Sequence, residues 1–330
     1  MEKLQSLMKS RPQVVVLGAG ASLATIPAGD KYGQKISTMD GFIETLGMSD
    51  ILSKTPLKTQ SKNLEEIYSE LASCYQYTNI RLDLETRIKE YFSKFKLPDN
   101  PTIYDYLIAA LTPKDCIASF NWDPLLFQAY CRVRCKITTK LPRLFFLHGN
   151  VGVGTCITHQ RIGEINGICP KCRQLFSEYP LLYPIKDKDY TNNAAIHGSW
   201  NRVLEFFKYA YIVTIFGYSA PRTDKEALRL FKNTWGSNDK KFLEQFEFID
   251  LKSEQELRKS WKDFIYIDHY QCHQTFFDSL IAKYPRRVTE CFSDMTINGN
   301  WDVRENPLSP NMSWDDLKQH LDALLAEETT

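Results

Sequence analysis

A charge excess of either sign is what this sequence most lacks. Its 41 lysines and arginines are matched by 40 aspartates and glutamates, leaving a formal net charge of +1. No overall field therefore draws the chain to nucleic acid or to an anionic membrane. Long apolar runs are missing too. The most sustained lie near Val14–Leu17 and Tyr211–Phe216, far short of the roughly 20 residues needed to cross a bilayer. Residues 1–13 have neither a continuous apolar core nor a small-residue cleavage site, so they do not read as a signal peptide. The nine cysteines form no evenly spaced disulfide framework, which points to reduced thiols in the cytoplasm. No repeat or low-complexity tract interrupts the chain.

What is present suits a soluble globular enzyme. Over 330 residues, 43% are hydrophobic and 25% charged, enough apolar surface for one large domain or two modest ones. Val14–Leu17 is a short β-branched run ending at Gly18, the pattern of a buried parallel strand feeding a glycine turn. Similar runs recur at Cys116–Phe120, Leu144–Leu147, Tyr211–Phe216, Phe246–Ile249 and Phe264–Ile267. Helical periodicity lies between them, over Asn63–Tyr75, Leu84–Phe95, Pro124–Cys131, Trp200–Tyr209, Lys225–Trp235, Glu254–Trp261 and Gln274–Tyr284. This alternation predicts an α/β fold with a Rossmann-like, doubly wound parallel sheet.

Two stretches break the alternation. Residues 33–111 are almost wholly helical in pattern and read as an inserted helical module. Residues 151–190 are rich in glycine, cysteine and proline and read as a small loop-rich module. Residues 1–285 then form the main domain, with 286–330 as a C-terminal extension. In that extension Ser313-Trp314-Asp315-Asp316 is a capping box that opens an amphipathic helix through Leu317, Leu321, Leu324 and Leu325. Such a helix either packs on its own domain or offers an assembly surface.

The turn Gly18-Ala19-Gly20-Ala21-Ser22 follows the first strand. Glycines at its first and third places allow a sharp turn and close approach to a pyrophosphate. N–H groups at the start of the following helix would face the phosphate oxygens. The third glycine of the usual dinucleotide fingerprint is absent, and turns of this kind also serve as plain connections.

Three further motifs end later strands, and Ile26-Pro27 follows the glycine turn. They are Ser119-Phe120-Asn121-Trp122-Asp123, Leu147-His148-Gly149 and Phe216-Gly217-Tyr218-Ser219. The ordered set, spread from Val14 to Ser219, resembles the motifs of the sirtuin family. That resemblance implies NAD binding and cleavage of the bond between nicotinamide and ribose. It implies that Asn121 positions the ribose and an attacking water, and that His148 contacts the ribose hydroxyls as general base, a role suited to imidazole. Asp123 would orient the carboxamide. Cofactor binding would fall to Gly18, Ala19, Gly20, Ser22, Asp30, Gly217 and Ser219. Taken singly, His148 also reads as a structural histidine bridging a turn, and Asn121 and Asp123 as caps for the helix near Pro124. Thr223 to Glu226 reads as a capping box for the next helix.

The departures from sirtuins concern the acyl-peptide side. Ile26-Pro27 leads into Ala28-Gly29-Asp30 where sirtuins have an Asp-Phe-Arg segment, and Leu181-Leu182-Tyr183-Pro184 stands where they carry Phe-Gly-Glu. Asn121 leading into Pro-Leu-Leu, and Gly217-Tyr218-Ser219 into Ala-Pro-Arg-Thr-Asp, look more like the prokaryotic sirtuin-like proteins of antiphage defence. In that branch the resemblance implies an NAD hydrolase that depletes the cofactor. It also implies a homo-oligomer held inactive until triggered, sometimes beside a HerA-like ATPase.

Cys156-Ile157-Thr158-His159 and Cys169-Pro170-Lys171-Cys172 place two ligand pairs at zinc spacing. Four protein ligands would make the ion structural, and sirtuins carry a four-cysteine zinc module at the corresponding place. Cys131 and Cys135 read as core or surface thiols on a helix. Two other functions stay open beside NAD hydrolysis. One is an NAD-dependent protein deacylase, and the other a non-catalytic nucleotide-sensing or scaffold subunit.

Overall fold

Val14, Val15 and Val16 are buried on both faces of the first strand. β-Branched residues are stiff at χ1 and pack well on a pleated surface, and here they form the centre of a sheet. The computed structural model describes residues 7–37, 41–159, 161–184, 190, 193–220, 224–237 and 240–328. β1 (Gln13–Leu17), β2 (Cys116–Ser119), β3 (Arg143–Phe146), β7 (Ile212–Phe216), β8 (Gln245–Ile249) and β9 (Tyr270–His273) make one six-stranded sheet. Its order is β3-β2-β1-β7-β8-β9, and every pairing is parallel. The predicted α/β, doubly wound sheet is therefore present. Strand order reverses between β1 and β7, and the crevice outside the carboxyl ends at such a switch point is where ligands bind in open α/β sheets.

Most helices fall where the apolar periodicity predicts, and two match at both ends: Lys225–Trp235 and Glu254–Trp261. Residues 42–93 hold four helices: Phe42–Thr45, Ser49–Ser53, Leu64–Ser73 and Thr78–Ser93. The helix Ile103–Ala110, in contrast, packs on Leu125–Lys136 and on the short helix Leu280–Lys283. The terminal helix Trp314–Glu327 starts with the expected capping box between Ser313 and Asp316. It buries Leu317 and Leu321 in the main core. No helix among the described residues is long and apolar enough to cross a membrane.

Two local expectations are corrected. Phe264–Ile267 is a turn, not a strand. The N–H groups of Phe264 and Ile265 bond back to the Trp261 carbonyl, and Ile267 takes a left-handed φ of 46°. The apolar run there packs the end of a helix, with Phe264 against Trp261 and Phe246. The sixth strand lies three residues further on. Gln274–Tyr284 is likewise not one helix. Ser279 is extended (φ −73°, ψ 159°) and caps a new short helix, Leu280–Lys283, by accepting from the Ala282 N–H. The capping box expected from Thr223 to Glu226 begins outside the described residues.

Between β3 and the following helix the chain forms a separate antiparallel sheet of β4 (Val153–Cys156), β5 (Arg161–Glu164) and β6 (Ser177–Glu178), in the order β5-β4-β6. It has a small core of its own around Cys156, Cys169 and Phe176.

Candidate active site and metal centre

The glycine turn after β1 is set by a second backbone, that of the turn after β7. Gly18 N–H bonds to the Phe216 carbonyl and Gly20 N–H to the Gly217 carbonyl, each at 3.0 Å. A Cβ on Gly18 would meet Gly217 O at 2.5 Å, and one on Gly217 would meet Ala21 N at 2.4 Å. Gly217 also has φ +57°, a region costly for other residues. The G-x-G spacing thus serves turn-to-turn packing, a demand that sequence alone does not separate from access to a pyrophosphate. It also takes up the Gly20 N–H.

At this junction opens a cavity of about 820 Å³, within the few-hundred to thousand Å³ range of small-molecule sites. Gly18, Ala19, Gly20 and Ser22 line it from β1, Asn121 and Asp123 from β2, His148 from β3, and Gly217 and Ser219 from β7. Asp30 does not line it. Both oxygens of that buried carboxylate instead accept backbone N–H groups, from Tyr32, Gln34 and Lys96. Asp30 braces its loop, as short acidic side chains do in turns.

Asn121 sits at the carboxyl end of β2 with its Nδ2 turned inward. The amide donates to Gly18 O at 2.8 Å, with Ser22 Oγ at 3.0 Å and Tyr104 Oη at 3.2 Å. A carbonyl can only accept, so the contact with Gly18 O fixes which end of the amide is nitrogen. Asp123 does two jobs. Its Oδ1 accepts the Leu125 N–H at 3.1 Å, the capping role, and its Oδ2 accepts from Ser22 Oγ at 2.7 Å. Burial pushes its carboxyl above the usual range.

His148 is enclosed by aromatic rings. It meets the Phe120 ring edge-on at 4.7 Å and stacks over Tyr190 at 5.9 Å. Its Nε2 lies 3.1 Å from Tyr190 Oη and 3.7 Å from Asp224 Oδ1. Tyr218 Oη donates to the other oxygen of Asp224 at 2.9 Å, and its ring stacks flat on Phe120 at 4.3 Å. Burial, and then the neighbouring Asp224, raise the Tyr218 hydroxyl well above its usual range, so it stays a donor.

The cysteine–histidine module fits a tetrahedral ion. Cys156, His159, Cys169 and Cys172 bring their ligand atoms within 4.8 Å of one another. Cys156 Sγ is 3.5 Å from His159 Nδ1 and 3.6 Å from Cys172 Sγ, and Cys169 Sγ is 3.7 Å from His159 Nδ1. A tetrahedron with bonds of about 2.3 Å to sulfur and about 2.0 Å to nitrogen has edges of roughly 3.5–3.8 Å. The sulfurs are far beyond the roughly 2.05 Å of a disulfide. Backbone N–H groups of Cys172 and Lys171 pull the Cys169 thiol down to about 6, toward the thiolate that zinc requires. Cys131 and Cys135 are exposed on their helix.

No family model matches the chain, and no curated protein matches it either. Solved structures do. A Sir2 enzyme with the inhibitor EX-527, 2'-O-acetyl-ADP-ribose and a deacetylated p53 peptide is 11% identical, with a TM-score of 0.39 over 91% of this chain and 99% of that one. Sir2 bound to an acetylated peptide gives 12% and 0.39, over 91% and 98%. A Sir2 homologue in complex with NAD gives 14% and 0.35, over 91% and 94%. The likeness is distant.

The cavity collects every proposed nucleotide-binding or catalytic residue except Asp30. Sequence reading missed Tyr104, Tyr190, Tyr218 and Asp224. Tyr218 lies inside a recognised motif and Asp224 five residues past Ser219, and their signal was an aromatic residue within the motif and an acid after it. Tyr104 and Tyr190 reach the site only through tertiary placement.

Proposed function

We propose that this chain hydrolyses NAD to nicotinamide and ADP-ribose, as an NAD-depleting effector of antiphage defence. One observation carries the reading: the ends of β3, β2, β1 and β7 bring His148, Asn121 and the paired glycine turns to one dinucleotide-sized cavity at the switch point. Neighbouring strands stand about 4.8 Å apart. An extended dinucleotide laid along that edge meets His148 and Asn121 at its nicotinamide ribose and the glycine turns at its pyrophosphate.

In this reading the glycosidic C–N bond breaks and its electron pair leaves with the nicotinamide nitrogen, neutralising the pyridinium. The anomeric carbon gains oxocarbenium character and a water oxygen attacks it. Asn121 orients the ribose and that water, and His148 takes the water's proton, a contribution of about 10²–10⁴ in rate. The Cys156–His159–Cys169–Cys172 set would hold a structural zinc ion, with no position open for water. Assembly into a homo-oligomer, and regulation by a HerA-like ATPase, belong to the same proposal.

The test is incubation of purified protein with NAD, with and without an acylated peptide. Nicotinamide and ADP-ribose released without peptide support hydrolysis. Turnover that appears only with peptide supports a deacylase. Binding without turnover, persisting in cells under phage challenge, supports a sensor.

A further inference from the structure

The Asn121 amide is oriented by a hydroxyl from outside the strand-end loops. Tyr104 lies in the first turn of the helix Ile103–Ala110, whose start is fixed by a capping box between Thr102 and Asp105. It is fully buried, and its Oη stands 2.8 Å from Ser22 Oγ and 3.2 Å from Asn121 Nδ2. Counting protons gives every bond a direction. Ser22 commits its proton to the Asp123 carboxylate at 2.7 Å. Its oxygen must then accept, and the Tyr104 O–H is the donor facing it. The Tyr104 oxygen is left to accept in turn from Asn121. One amide proton goes to Gly18 O at 2.8 Å, the other to the paired hydroxyls. Both are spent inside the protein, and a flipped amide would set its oxygen against the Gly18 carbonyl. Only the Asn121 carbonyl oxygen remains to face a ligand.

We propose that Tyr104 is a positioning residue for the reaction at this site: its hydroxyl, relayed through Ser22 to Asp123, holds the Asn121 amide with its oxygen toward the ribose and the attacking water. This rests on the NAD-cleavage reading above. It also gives Ser22 a place within the relay instead of a contact with the dinucleotide. Hydrogen bonds in such chains polarise one another, so loss of the middle hydroxyl is felt at both ends.

The experiment compares wild type, Tyr104→Phe and, as a control for a lost hydroxyl elsewhere on the same helix, Tyr106→Phe. Steady-state nicotinamide release gives kcat and KM. In asparagine-labelled protein, the side-chain amide resonances of Asn121, identified by their loss in Asn121→Asp, report its orientation and solvent exchange. Tyr104→Phe is expected to lower kcat five- to fifty-fold with KM within threefold, to shift the Asn121 amide protons and to speed their exchange at least tenfold. Tyr106→Phe should change none of these, whatever it does to the melting temperature. Unmoved Asn121 resonances, or a raised KM with intact kcat, overturn the proposal. If wild type releases no nicotinamide, in vitro or in cells under phage challenge, the functional reading falls, and the amide resonances alone then decide whether Tyr104 orients Asn121.

Discussion

Asn121 and His148 reach the cavity from adjacent strand ends, and each is already held by partners that no substrate supplies. Replacing either with alanine is therefore expected to spare the fold and to lower NAD cleavage by about two orders of magnitude or more. Cellular NAD under phage challenge is the measurement, and undiminished NAD loss in both variants would remove them from the chemistry. Asp123 makes a pH prediction. Burial raises its carboxyl, so it takes up a proton at a higher pH than an ordinary aspartate. The protonated form is a weaker acceptor for the Ser22 hydroxyl and can itself donate, which disturbs the relay to Asn121. The kcat profile should show an acid limb above the usual carboxylate range, and Asp123→Asn should abolish that limb. A limb that survives the substitution belongs to another group. These residues were legible in the sequence because each motif is contiguous and sits at the end of a β-branched run. Tyr104 was not, since inside a helical pattern a buried tyrosine looks like any other core position.

At the scale of elements, two connections carry the site. The first is the junction of the glycine turns. Gly217→Ala places a Cβ against the Ala21 nitrogen at a left-handed φ, so it should cost on the order of 1–3 kcal/mol in strain alone and open the cavity. Chemical denaturation gives the cost, and a variant as stable as wild type would contradict the packing described. The second connects the small sheet to the loops after β2 and β3 that line the cavity. Leu182 N–H bonds to the His148 carbonyl, Val151 N–H to the Trp122 carbonyl, and Asn150 Nδ2 to the Asp123 carbonyl at 2.6 Å. Gly149 packs so closely on Pro180 that a Cβ would lie 1.9 Å from its carbonyl oxygen. Removing zinc by chelation, or Cys172→Ser, should strip hydrogen-exchange protection from β4 while leaving β1 protected. It should also lower turnover, because the segment after β6, through Leu182, steadies the His148 backbone. Elemental analysis near one zinc per chain, lost in Cys172→Ser, checks the premise. The cysteine spacing made this module legible, whereas its grip on the histidine loop depended on contacts across 30 residues.

For the whole molecule, a polar line runs through the middle of the sheet. Gln13 donates to Thr214, Thr214 to Glu247 at 2.9 Å, and His273 Nε2 lies 3.5 Å from Glu247. Burial pushes Glu247 up to about 7. A folded-state value above the unfolded one means that its contribution is complete below the ordinary glutamate range and is lost as pH rises through about 7. At roughly 1.4 kcal/mol per unit, the swing is on the order of 3 kcal/mol. The melting temperature of Glu247→Gln relative to wild type should therefore climb between pH 5 and pH 8, and a flat difference would refute the assignment. The alternation of strands and helices was legible at this scale because parallel strands buried on both faces read as continuous apolar runs. The last strand was not: Tyr270–His273 is an edge strand of mixed polarity, while the apolar run before it packs a helix end.

The sheet order has a consequence for how the chain is made. β1 emerges first from the ribosome, yet one of its neighbours, β7, begins at residue 212. At about 5–20 residues per second, the open edge of β1 waits on the order of ten to forty seconds for its partner. Nascent chains interrupted before that point carry an apolar strand with one edge unpaired, a template for aggregation, and they lack the Gly217 turn that completes the cavity. Only once the chain has been read past Gly217 can the two turns meet and the cavity between them exist.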